Sequence, residues 1–166
     1  RCNSSDLEAL RAAREILKLD LRIQCNTFEE TNSHRIFWLS PDEWLLMAMD
    51  EDATLKERLS DAWKPFFHSI VDLSGGQTVI RVSGAKTTEI LNLGCTLDLH
   101  SSIFKVNSCA QSLIHGIPIL LSRHNNTDSE SPIFELMVRR SYADCLMRWL
   151  IDSATHHGFR RVVGLL

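Results

Sequence analysis

The stretch IVDLSGGQTVIRVSG, residues 70–84, constrains this chain more than any other. Two runs of alternating apolar residues flank Gly75 and Gly76, and a two-glycine link suits a tight β-hairpin because its turn needs positive φ. Pairing outward from Ser74 opposite Gln77 places Val71, Leu73, Ile80 and Val82 on one face, the expected core side. On the other face Arg81 lies diagonal to Asp72, within reach of a cross-strand ion pair. Ser83 reads as the N-cap of a short helix from Gly84, with Ile90 and Leu91 facing inward and Gly94 beyond its end.

On the N-terminal side, Ser5 and Glu8 have the form of a capping box, and Leu7, Leu10 and Leu17 keep helical spacing to about Lys18. Leu19, Leu21, Ile23 and Cys25 then alternate with polar residues, which predicts a strand; residues 26–34 are polar and read as a loop. In RIFWLSPDEWLLMAM, Ser40, Pro41 and Glu43 imitate a helix start. The aromatic and aliphatic runs on either side favour strand, turn, strand across Pro41-Asp42. Asp52 is the expected cap of a helix whose stripe is Leu55, Leu59, Ala62, Trp63 and Phe66, with Pro65 ending it or kinking its last turn.

After the central stretch, residues 93–108 lack periodicity and read as a surface crossing. Residues 109–114 and 117–123 form a second predicted hairpin around His115-Gly116, with Pro118 favouring an edge position. Residues 125–132 make a polar loop, and Phe134, Leu136 and Val138 alternate as a strand. Ser141 with Asp144 opens the strongest helix, striped by Tyr142, Cys145, Leu146, Trp149, Leu150 and Ala154, and Gly158 stops it. The apolar tail RRVVGLL reads as a truncated strand.

Composition narrows the function classes. An apolar content of 44% and a charged content of 23% are ordinary for a water-soluble globular chain. A net charge of -3 argues against nucleic acid, which needs a concentrated basic face. No apolar run approaches the ~20 residues of a membrane span, and no signal-peptide core opens the sequence, which points to a cytoplasmic location. The sequence starts at Arg1 rather than Met, as a fragment or late start does. Cys2, Cys25, Cys95, Cys109 and Cys145 are odd in number and lack metal-ligand spacing, so reduced thiols are expected.

Five groups of residues invite a chemical reading. Gly75-Gly76 links strands rather than a strand and a helix, so it is a turn and not a phosphate loop. His156-His157, adjacent on a helix, point in different directions and suit the C-terminal dipole better than a metal. Cys95, Asp98 and His100 share one irregular segment, but nothing in the sequence supplies an orienting group or an oxyanion donor. Arg139 and Arg140, just before a helix start, are candidates for an anion or for a partner's carboxylate; the commoner role is solvated or locally paired charge. Trp38 and Trp44, flanking a short turn, are candidate partner contacts, although such residues are more often core.

Five blocks, NTFEETNSHRIFWLSPDEWLLMA, VDLSGGQTVIRVSG, GCTLDLHSSIF, CAQSLI and VRRSYADCLMRWL, resemble in that order the gamma subunits of heterotetrameric sarcosine oxidases, from about residue 26 to residue 157. The run from Asp72 to Leu91 is also similar to the folate-binding domain of aminomethyltransferases. The resemblance implies an α+β fold with ferredoxin-like β-α-β elements and antiparallel hairpins. The resemblance bounds a gamma-like domain at 26–158; the N-terminal helix and strand of residues 1–25 depart from it and are open to being an appended arm, and residues 159–166 are a tail.

What the resemblance implies for function is a supporting subunit of a flavoenzyme that oxidatively demethylates sarcosine. The products are glycine, hydrogen peroxide, and formaldehyde or 5,10-methylenetetrahydrofolate. It implies alpha, beta and delta subunits as partners, and places FAD, FMN, NAD, tetrahydrofolate and zinc on those subunits and no cofactor on this chain. No catalytic, cofactor or metal residue is carried over. Two other readings compete: a stand-alone folate-binding one-carbon protein, and an interaction module for another partner.

Overall fold

A computed structural model describes residues 1–49, 52–126 and 131–162. The chain divides into two compact units: Arg1–Ser74 with Asn107–Ala110, and Gly75–Val106 with Gln111–Leu166. The architecture is α+β with antiparallel sheets, as expected.

In the first unit, helix α1 (Leu7–Leu17) is capped by Asp6, whose carboxylate accepts from the Ala9 N–H at 3.2 Å. The cap therefore falls one residue later than the Ser5-Glu8 box predicts, and Glu8 pairs with Arg11 at 2.8 Å instead. Lys18, at φ 58, closes the helix. Strands β1 (Phe28–Glu30), β2 (His34–Ser40) and β3 (Glu43–Ala48) form an antiparallel sheet in that order, with Trp38 opposite Trp44. The strand-turn-strand reading across Pro41-Asp42 holds, while the predicted loop at residues 26–34 contains β1. Three residues with a Phe28↔Phe37 pairing make too short a strand for periodicity to show.

Helix α2 (Leu55–Trp63) packs on α1, and Pro65 follows its end as expected. Asp52 does not act as its N-cap. The N-cap position is Thr54, whose N–H and hydroxyl both donate to the Asp52 carboxylate at 3.2 and 2.8 Å. Residues 1–25 are part of this unit's core: Ala9, Leu10, Ala13, Leu17, Leu21 and Trp63 belong to one buried cluster. Leu19, Leu21 and Ile23 do alternate inward, but they pair in no strand, so the predicted strand at 19–25 is an extended connector.

In the second unit, β4 (Gln77–Ser83), α3 (Thr87–Asn92), β5 (Cys109–Ile114, in this unit from Gln111), β6 (Ile117–His124), β7 (Ile133–Arg139) and α4 (Ala143–Ala154) follow in sequence. The sheet order is β4-β7-β6-β5. The hairpin predicted at Gly75-Gly76 is absent: a turn is present, with Gly75 at φ 76, but β4 pairs with β7. Val71 and Leu73, predicted core, are 72% and 46% exposed, whereas Ile80 is buried opposite Leu136. Arg81 lies opposite Glu135, and Asp72 accepts from the Ser74 N–H at 2.8 Å in place of the predicted ion pair. The physical reason is that β7 is buried on both faces, with Phe134, Leu136 and Val138 on one and Ile133 and Glu135 on the other. Ile133, Phe134, Leu136 and Val138 are all buried, and such a strand belongs inside a sheet.

The His115-Gly116 hairpin is present, both residues having positive φ. Pro118, expected on an edge strand, sits on the interior strand β6; the β6–β7 register begins at Ile119, so its missing N–H breaks no bond to β7. Ser83 does not cap α3, whose N-cap is Lys86, and α4 is entered through a 3-10 turn at Arg140–Tyr142 without a side-chain cap from Ser141. Cys145 is exposed, whereas Leu146 and Leu150 face inward as predicted. Parts of the predicted loop at 125–132 and tail at 159–166 lie outside the described residues.

A helix-to-turn approach in this unit is specific enough to test. A Cβ on Gly94 would lie 2.5 Å from Trp149 Cζ2 and 3.2 Å from the His115 backbone nitrogen. Trp149 has little freedom to retreat, because its ring stacks on His115 with centroids 5.9 Å apart. Gly94→Ala is expected to cost about 1–3 kcal/mol of stability, read as a lower denaturation midpoint. An unchanged midpoint would mean that the Trp149 ring shifts freely.

Candidate functional site

The residues that sequence reasoning singled out do not converge on one spot. Trp38 and Trp44 pair across β2 and β3 in the first unit, partly buried and packed against its core. The indole Nε1 of Trp44 is buried with no acceptor. Arg139 and Arg140 belong to the second unit, at the end of β7 and the opening of the 3-10 turn, and both are exposed. The Arg140 backbone N–H donates to the Gly76 carbonyl at 3.0 Å, while among the described residues no carboxylate pairs with either guanidinium.

Cys95, Asp98 and His100 do not assemble into a nucleophile and base. The Cys95 thiol is buried 3.9 Å from the Ser112 hydroxyl. Asp98 accepts from the His100 backbone N–H at 2.9 Å, and the His100 ring turns to Ser102 at 2.8 Å. His156 and His157 lie exposed in a 3-10 turn after α4. Among the described residues no cluster of His, Cys, Asp and Glu has the form of a metal site. None of their helices is long and apolar enough to cross a membrane.

A buried polar cluster went unnoticed in the sequence. His124 Nε2 lies 2.9 Å from the Ser122 hydroxyl and 3.3 Å from the Glu135 carboxylate, and all three residues are buried. Alternation within otherwise apolar strands, S-R-H in β6 and F-E-L in β7, is the one sequence signal for it. The geometry is structural rather than nucleophilic. Serine and carboxylate both address Nε2, whereas a serine nucleophile needs its carboxylate on the opposite ring nitrogen.

A surface cavity of about 190 Å³ is lined by Leu7, Leu10, Arg11, Arg14, Asp20 and Arg22. It is smaller than the ~300 Å³ at which small-molecule sites begin, and its charges are engaged with one another. Arg22 donates to both oxygens of Asp20 at 3.3 and 3.0 Å, Arg14 lies 3.8 Å away, and Arg11 holds Glu8. The Arg22 hydrogen bonds keep the Asp20 carboxyl below its ordinary range.

The thiols follow burial. Cys25 and Cys145 are exposed, while Cys2, Cys95 and Cys109 are buried. Burial pushes the Cys109 thiol up to about 11, and its Sγ donates to the Thr27 carbonyl at 3.2 Å. At neutral pH a thiol reagent is expected to modify Cys25 and Cys145 rapidly and the buried thiols only after unfolding. Rapid modification of Cys109 in the native chain would contradict this packing.

A sequence model described as the sarcosine oxidase, gamma subunit family matches residues 1–156. This chain belongs to that family. It is 32% identical over 118 residues to the sarcosine oxidase subunit gamma of Corynebacterium sp. (strain U-96), covering 71% of this chain and 55% of that one. To the Arthrobacter sp. subunit gamma it is 32% identical over 120 residues, covering 72% and 56%. The family member described here thus spans little more than half the length of these relatives. Its fold matches a chain of the heterotetrameric sarcosine oxidase from Corynebacterium sp. U-96 in complex with pyrrole 2-carboxylate. That match has a TM-score of 0.82 and 24% identity, over 96% of this chain and 79% of that one. The family model takes in α1 as well, in keeping with that helix's place in the core.

Proposed function

We propose that this chain is a gamma subunit of a heterotetrameric sarcosine oxidase, supporting assembly of the flavoenzyme rather than carrying out its chemistry. The observation that carries the reading is the family match over residues 1–156. The complex would oxidise sarcosine to glycine and hydrogen peroxide, releasing formaldehyde or passing the one-carbon unit to tetrahydrofolate, in the cytoplasm. Alpha, beta and delta chains are the proposed partners. FAD, FMN, NAD, tetrahydrofolate and zinc are assigned to them, with no cofactor on this chain.

Two structural features support a supporting role. The candidate nucleophile and base point apart, Cys95 toward Ser112 and His100 toward Ser102. Large apolar side chains also stand in solvent: Phe67 is 96% exposed and Leu93 70%. Apolar surface of that kind is what subunits cover in one another. Trp38, Trp44, Arg139 and Arg140 are proposed as further candidate contacts.

Co-expression of this chain with the alpha, beta and delta chains of the same organism, followed by affinity purification, tests the proposal. The expected result is a stoichiometric complex that turns over sarcosine, and no turnover by the gamma chain alone. A monomer that ignores all three, or an isolated chain that oxidises a methylated amine, would overturn it.

A further inference from the structure

The sheet of the second unit holds a cation that the described residues answer only in part. Arg123 on β6 lies opposite Phe134 on β7, with its guanidinium carbon 5.7 Å from the Phe134 ring centroid. Nη1 donates to the Phe104 carbonyl at 2.8 Å, and Phe104 stacks on Phe134 with centroids 6.2 Å apart. Nε is withdrawn from solvent and meets no acceptor. Among the described residues no carboxylate pairs with this guanidinium. Glu135, the next residue along β7, points to the other face of the sheet and is engaged with His124.

An aromatic face and one carbonyl hold a guanidinium less fully than a carboxylate, which accepts two parallel N–H bonds. Arg123 is half-buried rather than sealed, so part of its fork is open to an incoming group. The neighbouring surface is apolar and positive. Ile103, just before Phe104, is 64% exposed, Val106 is 44% exposed, and Lys105 between them is exposed as well. The nearest acid along this segment, Asp98, is occupied by the His100 backbone N–H. Positive charge beneath an apolar rim specifies its complement: an acidic side chain flanked by apolar ones.

We infer that Arg123 and residues 103–106 form a docking surface for a companion subunit, which supplies an Asp or Glu to the guanidinium and apolar contact to Ile103 and Val106. This rests on the proposed subunit role and names the surface through which part of that role is exercised.

The test is quantitative assembly of the gamma chain with its purified companion subunits, comparing the unsubstituted chain with Arg123→Met, Arg123→Lys and Ile103→Asp. Arg123→Met keeps the packing on Phe134 and removes the charge; Ile103→Asp alters an exposed site and spares the core should Arg123→Met fail to fold. Circular dichroism and thermal melting establish that each variant is folded before assembly is measured. Arg123→Met and Ile103→Asp are expected to weaken assembly at least tenfold, with Arg123→Lys intermediate. Arg123→Met should also flatten the salt dependence of assembly, because a charge-assisted contact has been lost. Folded variants that assemble like the unsubstituted chain would overturn the docking surface while leaving the subunit role intact. Failure of the unsubstituted chain to assemble would remove both. Self-association of the gamma chain through Ile103 and Arg123, seen by size-exclusion chromatography and lost in the variants, would also overturn the assignment to a companion subunit.

Discussion

Phe134→Ala is expected to remove about 3–5 kcal/mol from the stability of the second unit. Phe134 has no exposed surface, lies on the interior strand β7, stacks on Phe104 and carries the Arg123 guanidinium over its ring. Truncation deletes the buried ring and leaves a cavity between strands that are hydrogen-bonded on both sides of β7, so little collapse can fill it. A typical domain is stable by about 5–15 kcal/mol, so the loss is a large fraction of the total. The measurement is denaturant unfolding followed by tryptophan fluorescence, with amide exchange on β4, β6 and β7 as the local probe. Phe134→Leu should recover a good part of the loss, because it keeps most of the apolar volume. A Phe134→Ala chain with unchanged exchange on those strands would show that the ring is not part of the cooperative core.

The role of β7 also explains what was legible in the sequence. Its apolar run and the helical stripe at Leu146 and Leu150 could be read directly, because each signal is local. The β2–β3 hairpin was legible for the same reason: its two strands are joined by a short turn and pair Trp38 with Trp44. The organising hairpin failed because a glycine turn fixes only a reversal of direction, not which strand fills the ladder. Seven register pairs join β4 to β7, fifty or more residues away in sequence, and no local rule weighs that pairing against the five residues before Gly75. Val71 and Leu73 are therefore strand-like in pattern yet exposed.

The candidate site was less legible still. Arg139, Arg140, Trp38 and Trp44 were chosen by residue type, and the structure places the arginines and the tryptophans in separate units. Arg123 drew no notice because an arginine near the end of an apolar strand reads as a solvated flank. Its aromatic setting, with no carboxylate partner among the described residues, emerges only when Phe104 and Phe134 are brought together around it. The resemblance to the gamma subunit family, by contrast, lay in the order of short blocks along the chain and needed no geometry at all.

In the first unit, Trp63→Ala is expected to have a comparably large effect, about 3–5 kcal/mol. Trp63 is 3% exposed and lies on α2, where its indole Nε1 donates to the Ala9 carbonyl of α1 at 2.7 Å. Two losses combine on truncation: the buried ring, and a second hydrogen bond to a carbonyl that α1 already pairs, itself about 0.5–1.5 kcal/mol net. The second loss can be separated from the first. Trp63→Phe keeps most of the ring volume and deletes the donor, so it should cost about 0.5–1.5 kcal/mol. Its expected signature is faster amide exchange in α1, since the contact holds that helix to α2. Because Ala9, Ala13 and Leu17 occupy the same cluster, loosening α1 should also expose the connector at Leu19 and Leu21 to proteolysis. If Trp63→Phe is as stable as the unsubstituted chain, apolar packing alone joins the two helices and the indole hydrogen bond adds nothing.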